Sequence, residues 1–217
     1  MILIPVKNLA TAKQRLASLL DQPTRTELAQ TMLSDVLERV ANWSGHPEVS
    51  LVTSDPFAME QAEKFGFGII TDRENKSETD AIEMATKTCL DRGIDNVLVL
   101  PADIPLVQQW ELEKIYDTAP NEGSVLVPSA SRRGTNGAWR RPANLFPLKF
   151  GDDSFRPHLG AARLSRKPCV VLTLPGIALD IDTPEDLRQL IAAEGDTRSQ
   201  RMARKFNLAD LPRAASL

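Results

Sequence analysis

Asn96-Val97-Leu98-Val99-Leu100-Pro101-Ala102-Asp103-Ile104-Pro105-Leu106 is a run of branched apolar residues that delivers a single acid. Such a run reads as a strand buried on both faces, the form strands take in a parallel sheet covered by helices. Asp103 then stands just past the strand's C-terminal end, where open α/β sheets hold their ligands. Apolar residues at 107, 110, 112, 115, 116 and 119 follow at a mostly helical spacing, so Val107 to Ala119 is expected to return over the sheet. Asp103 is placed to hold a metal ion over the sheet edge, and a capped turn before the Pro-containing segment accounts for it equally.

Upstream, the same alternation of buried strand and helix recurs. Ile2 to Val6, Val49 to Ser54 and Gly68 to Asp72 read as strands, and Asp55-Pro56 opens a helix to Phe65. Thr24 with Glu27 gives a capping box for a helix with apolar positions 28, 32, 33, 36, 37 and 40. A helix over Ala81 to Leu90 leads into the Asp103 strand, and Ser77 to Asp80 lies at its start, where free backbone N–H groups meet a ligand or ordinary caps. Short connections in this rhythm imply a parallel sheet with right-handed crossovers. The first strand opens into a loop carrying Lys7, Lys13 and Arg15, three cations within nine residues, which suits a polyphosphate or a solvated helix start. Neither GxGxxG nor GxxxxGK[ST] occurs, so the dinucleotide fingerprint and the P-loop are both excluded.

At 217 residues, with no Gly/Ser linker or charge block, the chain is expected to form one large domain over 1–193, followed by a polar, basic tail or helix over 194–217. The tail carries an amphipathic stretch from Met202 to Leu211 that reads as a homodimer contact or a frayed end. A formal charge of −3 argues against a general nucleic-acid binder. No stretch approaches the ~18 apolar residues of a membrane span and no basic region precedes an apolar leader, so a cytoplasmic protein is expected. Cys89 and Cys169 lack CxxC spacing and read as reduced core residues.

Downstream of a strand at Ser124 to Ser129, two arginine pairs, Arg132-Arg133 and Arg140-Arg141, flank a small-residue stretch that includes Gly134 to Ala138. Small residues let backbone amides approach an anion and the guanidiniums supply charge, so the segment reads as an anion loop or as a hairpin with a basic rim. Phe150-Gly151-Asp152-Asp153-Ser154-Phe155 enters a helix ending near Leu164, with Ser154 as cap and the helix N-terminus open to an anion. His158 is assigned no role. Beyond a strand at Cys169 to Leu174, Asp180 and Asp182 alternate with Ile181 and share a face, and two acids on one face call for a cation between them. Thr183, Pro184 and Asp186 make a capping box for the next helix.

Acids at 103, 180 and 182 beside clusters of cations and small residues point to Mg²⁺-assisted phosphate chemistry. The absence of a Ser/His/Asp or Cys/His set fits a nucleophile that is already ionised. A phosphomonoester, with a second pKa of ~6, attacks an α-phosphate without a protein base. Two other classes compete: a metal-dependent glycosyltransferase using Asp180-Ile181-Asp182 as a DxD motif, and a non-catalytic nucleotide-binding protein.

Taken in order, Ile4-Pro5-Val6-Lys7, Ala12-Lys13-Gln14-Arg15-Leu16, Leu100 to Leu106, Gly134-Thr135-Asn136, Phe150 to Phe155 with His158-Leu159, and Leu179 to Pro184 resemble the 2-phospho-L-lactate/phosphoenolpyruvate guanylyltransferase family of coenzyme F420 biosynthesis. The resemblance covers about residues 1–193. It implies a Rossmann-like nucleotidyltransferase fold, a mostly parallel central sheet with helices on both faces. It also implies transfer of GMP from GTP to phosphoenolpyruvate, 2-phospho-L-lactate or 3-phosphoglycerate. By the same resemblance Asp103, Asp180 and Asp182 match Mg²⁺ carboxylates, Thr135, Gly151 and Ser154 hold the phospho-acid, and Lys7, Lys13 and Arg15 fall along the triphosphate. Ser77 to Ala81 departs from the family pattern, with Glu78 and Thr79 where a small residue and a Leu-Asn pair are expected.

Overall fold

The computed structural model describes residues 1–74, 76–151 and 153–206, so Asp152 and the part of the 202–211 stretch beyond residue 206 lie outside the described residues. Seven strands, β1 (Ile2–Val6), β2 (Val49–Thr53), β3 (Gly68–Thr71), β4 (Val97–Val99), β5 (Gly123–Pro128), β6 (Thr135–Arg141) and β7 (Cys169–Val171), form one sheet in the order β3-β2-β1-β4-β6-β5-β7. Every pairing is parallel except those of β6, which runs antiparallel to both β4 and β5. The expected α/β architecture is therefore present.

Strand β1 shows why the sheet needs cover on both faces. Ile2, Ile4 and Val6 enter one core with α1 (Gln22–Ala41), α2 (Pro56–Phe65) and α4 (Gln109–Thr118), while Met1 and Leu3 enter another with α3 (Glu78–Asp91) and α5 (Phe155–Leu164). The period of two carries alternate side chains to opposite faces, and both faces here are apolar. A third cluster of Leu16, Leu28, Met32, Leu179, Ile181, Leu187 and Leu190 joins α1 to the chain between α6 (Pro175–Ala178) and α7 (Pro184–Ala192). Helix α8 (Arg198–Ala203) is fastened to α1, with Asp35 Oδ2 accepting from both the backbone N (2.8 Å) and the Oγ (2.6 Å) of Ser199. Among the described residues, no helix is long and apolar enough to cross a membrane.

Two local expectations are corrected and one open alternative is decided. Helix α1 begins earlier than Thr24: Asp21 is the cap, accepting from Thr24 N, because Pro23 lacks an N–H and fits the first turn. Trp110 does not join the inward stripe of α4. Residues 110 and 112 are about 200° apart on a helix, so with Leu112 buried Trp110 is 53% exposed. The segment between the arginine pairs is a hairpin rather than a free loop: Arg132 and Arg133 stand exposed in the turn between β5 and β6, with Arg133 and Gly134 lining a cavity there, and the rest is strand β6, which carries Arg140 about 17 Å along the sheet from its start. There Arg140 is buried, donating to Phe146 O and to Thr86 Oγ1, and burial pushes its pKa down to about 10; Arg141 pairs with Asp95.

Candidate active site

Strands β1 and β4 lie side by side in the middle of the sheet, and the chain leaves both at the same edge. After β1 it passes through two short 3₁₀ turns, Leu9–Thr11 and Gln14–Leu16. Between them Lys13 has a left-handed backbone, φ 57°, a conformation that costs a non-glycine residue about 1 kcal/mol. Its Nζ lies 2.5 Å from Asp103 Oδ2 and 2.9 Å from Asp182 Oδ1, with the side chain 7% exposed. Burial works against the charge, but the attraction of Asp103 and then of Asp182 outweighs it and raises the Lys13 pKa above the ordinary lysine value.

The two acidic segments are joined by their backbones, since Ile181 N donates to Asp103 O at 3.1 Å. Ile181 is fully buried while Asp180 and Asp182 line the cavity beside it, as the alternation of side chains predicts. Asp186 Oδ2 accepts from the backbone N of Asp182 and of Thr183, which ties the segment to the first turn of α7. Asp180 accepts from Asn136 Nδ2 at 2.9 Å. Burial raises its pKa, the Asn136 bond opposes, and Asp103 and Asp182 add to the rise. Among the described residues, no three acids, histidines or cysteines form a ready metal cage. The cation between Asp103 and Asp182 is the Lys13 ammonium, and Asp180 is turned to Asn136.

Across the neighbouring strand, Thr135 opens β6. Its N–H donates to Ser154 Oγ at 3.0 Å, and its Oγ1 lies 2.9 Å from Nδ1 of His158. Ser154 therefore does not cap α5 with its side chain; the hydroxyl is already bonded to Thr135. Gly151 has φ +153°, in the region that favours glycine, and lines the same cavity.

That cavity has a volume of about 620 Å³ and gathers Arg15, Glu78, Asp103, Thr135, Asn136, Gly151, Ser154, Asp180 and Asp182. Of the sequence-predicted residues, Lys13 lies behind its acids and Lys7 is held at 2.7 Å by Asp72, outside the lining. Arg15 is 4.0 Å from Asp182 Oδ2. Three residues are added by the structure: Asn136, His158 and Glu78. Glu78, half-buried at the first position of α3, is pushed up to about 7 by burial and then by Asp103, with Lys7 opposing. A larger groove of about 1390 Å³ runs along α1 and α8 and contains none of the sequence-predicted site residues.

Comparison with known proteins gives concordant matches. The family model described as "Guanylyl transferase CofC like" matches residues 1–216. Phosphoenolpyruvate guanylyltransferase of Rubrobacter xylanophilus is 34% identical over 194 residues, covering 88% of this chain and 93% of the relative. The 2-phospho-L-lactate guanylyltransferase of Methanothermobacter thermautotrophicus is 30% identical, covering 99% and 94%. The 3-phospho-D-glycerate guanylyltransferase of Colwellia psychrerythraea is 32% identical, covering 87% and 90%. Among solved structures, a putative nucleotide-diphospho-sugar transferase from Desulfovibrio desulfuricans superposes with a TM-score of 0.76 at 17% identity, covering 94% of this chain and 93% of that one. It shares the fold.

Proposed function

The chain belongs to the family of CofC-like guanylyl transferases, and from that premise we propose that it transfers GMP from GTP to a three-carbon phospho-acid, releasing pyrophosphate, in coenzyme F420 biosynthesis. The relatives are named for phosphoenolpyruvate, 2-phospho-L-lactate and 3-phospho-D-glycerate, and the acceptor of this chain is drawn from that set. The observation that carries the reading is one cavity shared by the acids 103, 180 and 182 and by the donor groups of Thr135, Gly151 and Ser154.

In this reading Thr135, Gly151 and Ser154 hold the acceptor. Its phosphate, mostly dianionic at pH 7 because its second pKa is ~6, attacks the α-phosphorus of GTP, and the bond to the β-phosphate breaks. No proton has to be removed from the nucleophile, and the described lining contains no histidine. Arg15 meets the triphosphate at the cavity, while Lys13 and Lys7 balance the acids, Lys13 between Asp103 and Asp182 and Lys7 near Glu78.

The donor set fits Mg²⁺. It is made of oxygens only, and Mg²⁺ takes one or two carboxylates and leaves its other positions to water and phosphate. The raised carboxyls of Glu78 and Asp180 reflect burial first and then crowding of negative charge, which a divalent cation relieves. Asp103 would hold the ion with Asp180 and Asp182 beside it. When bound, it supplies neutralisation of the charge on the attacking and leaving oxygens.

The test is a panel of GTP and Mg²⁺ with each of the three acids, following pyrophosphate. A guanosine diphosphate-linked product with at least one acid, lost on chelation, is expected. No pyrophosphate with any of them overturns the reading. Release of free nucleoside diphosphate from a nucleotide-sugar would assign glycosyl transfer instead, and saturable GTP binding without turnover a nucleotide sensor.

A further inference from the structure

We propose that His158 is a positioning residue that makes the Thr135 hydroxyl a dedicated hydrogen-bond donor to the bound phospho-acid. The proposal rests on the guanylyl transfer reading only for the identity of that ligand.

The argument begins with the backbone. Lys149 N donates to His158 Nε2 at 2.8 Å, and a ring nitrogen that accepts a hydrogen bond carries no proton. The one proton of a neutral imidazole is then on Nδ1, 2.9 Å from Thr135 Oγ1, and the ring donates to the hydroxyl rather than accepting from it. The ring is 1% exposed. Burial, followed by the positive charge of Arg140, pushes its pKa down to about 4, so the neutral form is the one present at neutral pH.

A hydroxyl that accepts from His158 still has its own hydrogen to place. Among the described residues, the Thr135 O–H meets no acceptor, although the residue is only 7% exposed and lines the cavity. Ser154 repeats the arrangement: its Oγ accepts from Thr135 N, and its hydrogen is likewise left for the cavity. A free hydroxyl serves equally as donor or acceptor. Here each oxygen already accepts from a protein donor while its hydrogen meets no acceptor among the described residues, so both hydroxyls face a ligand hydrogen first, an arrangement suited to phosphate and carboxylate oxygens.

The same ring reaches the Gly151 turn. Besides the bond to Lys149 N, the ring packs edge-on against Phe150, with centroids 5.4 Å apart and planes at 73°. One side chain thus sets the polarity of Thr135 and the place of the turn that carries Gly151.

A double-mutant cycle on the full chain decides the matter, read as phospho-acid affinity by calorimetry with whichever of the three acids the wild type binds most tightly. His158→Gln keeps an acceptor for Lys149 N and loses the donor to Thr135, and its binding is expected to weaken about tenfold. His158→Asn keeps an amide donor near the Nδ1 position and stays within about threefold. In a Thr135→Val background His158→Gln adds no further loss, because the group it acts through is gone. An undiminished affinity in His158→Gln, or a loss that adds in full to that of Thr135→Val as a merely structural role would give, overturns the proposal. So does a two-bond ¹H–¹⁵N spectrum of the wild type showing the proton on Nε2, a readout independent of how the variants fold. If the wild type binds a phospho-acid but forms no pyrophosphate, the guanylyl reading fails while the cycle still judges His158. If it binds none of the three, both fail together.

Discussion

Replacing Lys13 with Met keeps the length of the side chain and removes the charge shared by Asp103 and Asp182. Removing one partner of a fully buried pair costs about 3–5 kcal/mol, whereas an exposed pair contributes under about 1 kcal/mol. Lys13 is 7% exposed but its partners are 26% and 39% exposed, so water screens part of the loss, and about 2 kcal/mol is expected. In a chain of this size that is a fall in Tm of about 4–8 °C, measured by thermal unfolding in a chelator. Millimolar Mg²⁺ should restore most of the deficit in the variant and stabilise the wild type far less, because the variant's acids have lost their resident cation. The sign with pH is also fixed. A raised lysine pKa gives stability that is fully present below the unfolded value of ~10.4 and lost only as pH rises through the higher folded value, so the gap between the proteins stays flat from about pH 6 to 9. Lys13→Met as stable as the wild type in chelator, or a deficit indifferent to Mg²⁺, would refute the reasoning.

Asp103→Asn should lower kcat by at least about 100-fold, with a smaller fall in Tm than Lys13→Met because Lys13 keeps its bond to Asp182; an initial-rate assay showing wild-type turnover removes Asp103 from the mechanism. Glu78, raised from 4.5 to about 7, contributes stability as the protonated acid that is present below 4.5 and lost as pH rises through 7. Glu78→Gln should therefore melt above the wild type at pH 8, by about 1 kcal/mol after allowing for hydration of a half-buried carboxyl, and level with it at pH 4; an equal gap at both pH values would contradict the assignment. Gly176→Ala would place a Cβ 2.4 Å from Glu111 Oε2 and 2.4 Å from Leu106 O, beside the 2.7 Å bond from Gly176 N to Glu111 Oε1. A loss of about 3 kcal/mol in urea unfolding follows, and an unchanged midpoint would show that the contact yields freely.

The architecture was legible because its signals are local and repeated. Branched runs at 2–6, 49–53 and 97–99 can only be strands covered on both faces, and the acid after the last of them falls at the sheet edge. The Asp180/Asp182 pair was legible for the same reason, since alternation requires it once Ile181 is buried. What escaped depends on contacts between distant segments. Arg140 resembles Arg132 in sequence, and only the strand between them shows that one is buried against Phe146 while the other is exposed. Ser154 has the residue type of a cap, but Thr135 N, 19 positions away, takes its oxygen. A cation was expected between Asp180 and Asp182; Lys13 instead bridges Asp182 to Asp103 and Asp180 turns to Asn136, an arrangement that follows from the left-handed turn at residue 13, which no spacing rule announces. His158 falls in a segment that carries the family resemblance, but the proposed positioning role rests on which of its nitrogens is bare, which only the contacts of Lys149 and Thr135 reveal.

One reversed strand divides the work of the rim. Neighbouring parallel strands bring their last residues to the ligand side, and β4 delivers an acid there. Strand β6 brings its first residue instead, so Thr135 arrives beside Asp103's segment with its amide held by Ser154 and its hydroxyl at the cavity. Carboxylates and hydroxyls thus abut along a single sheet edge, with no second domain needed to supply the opposite polarity.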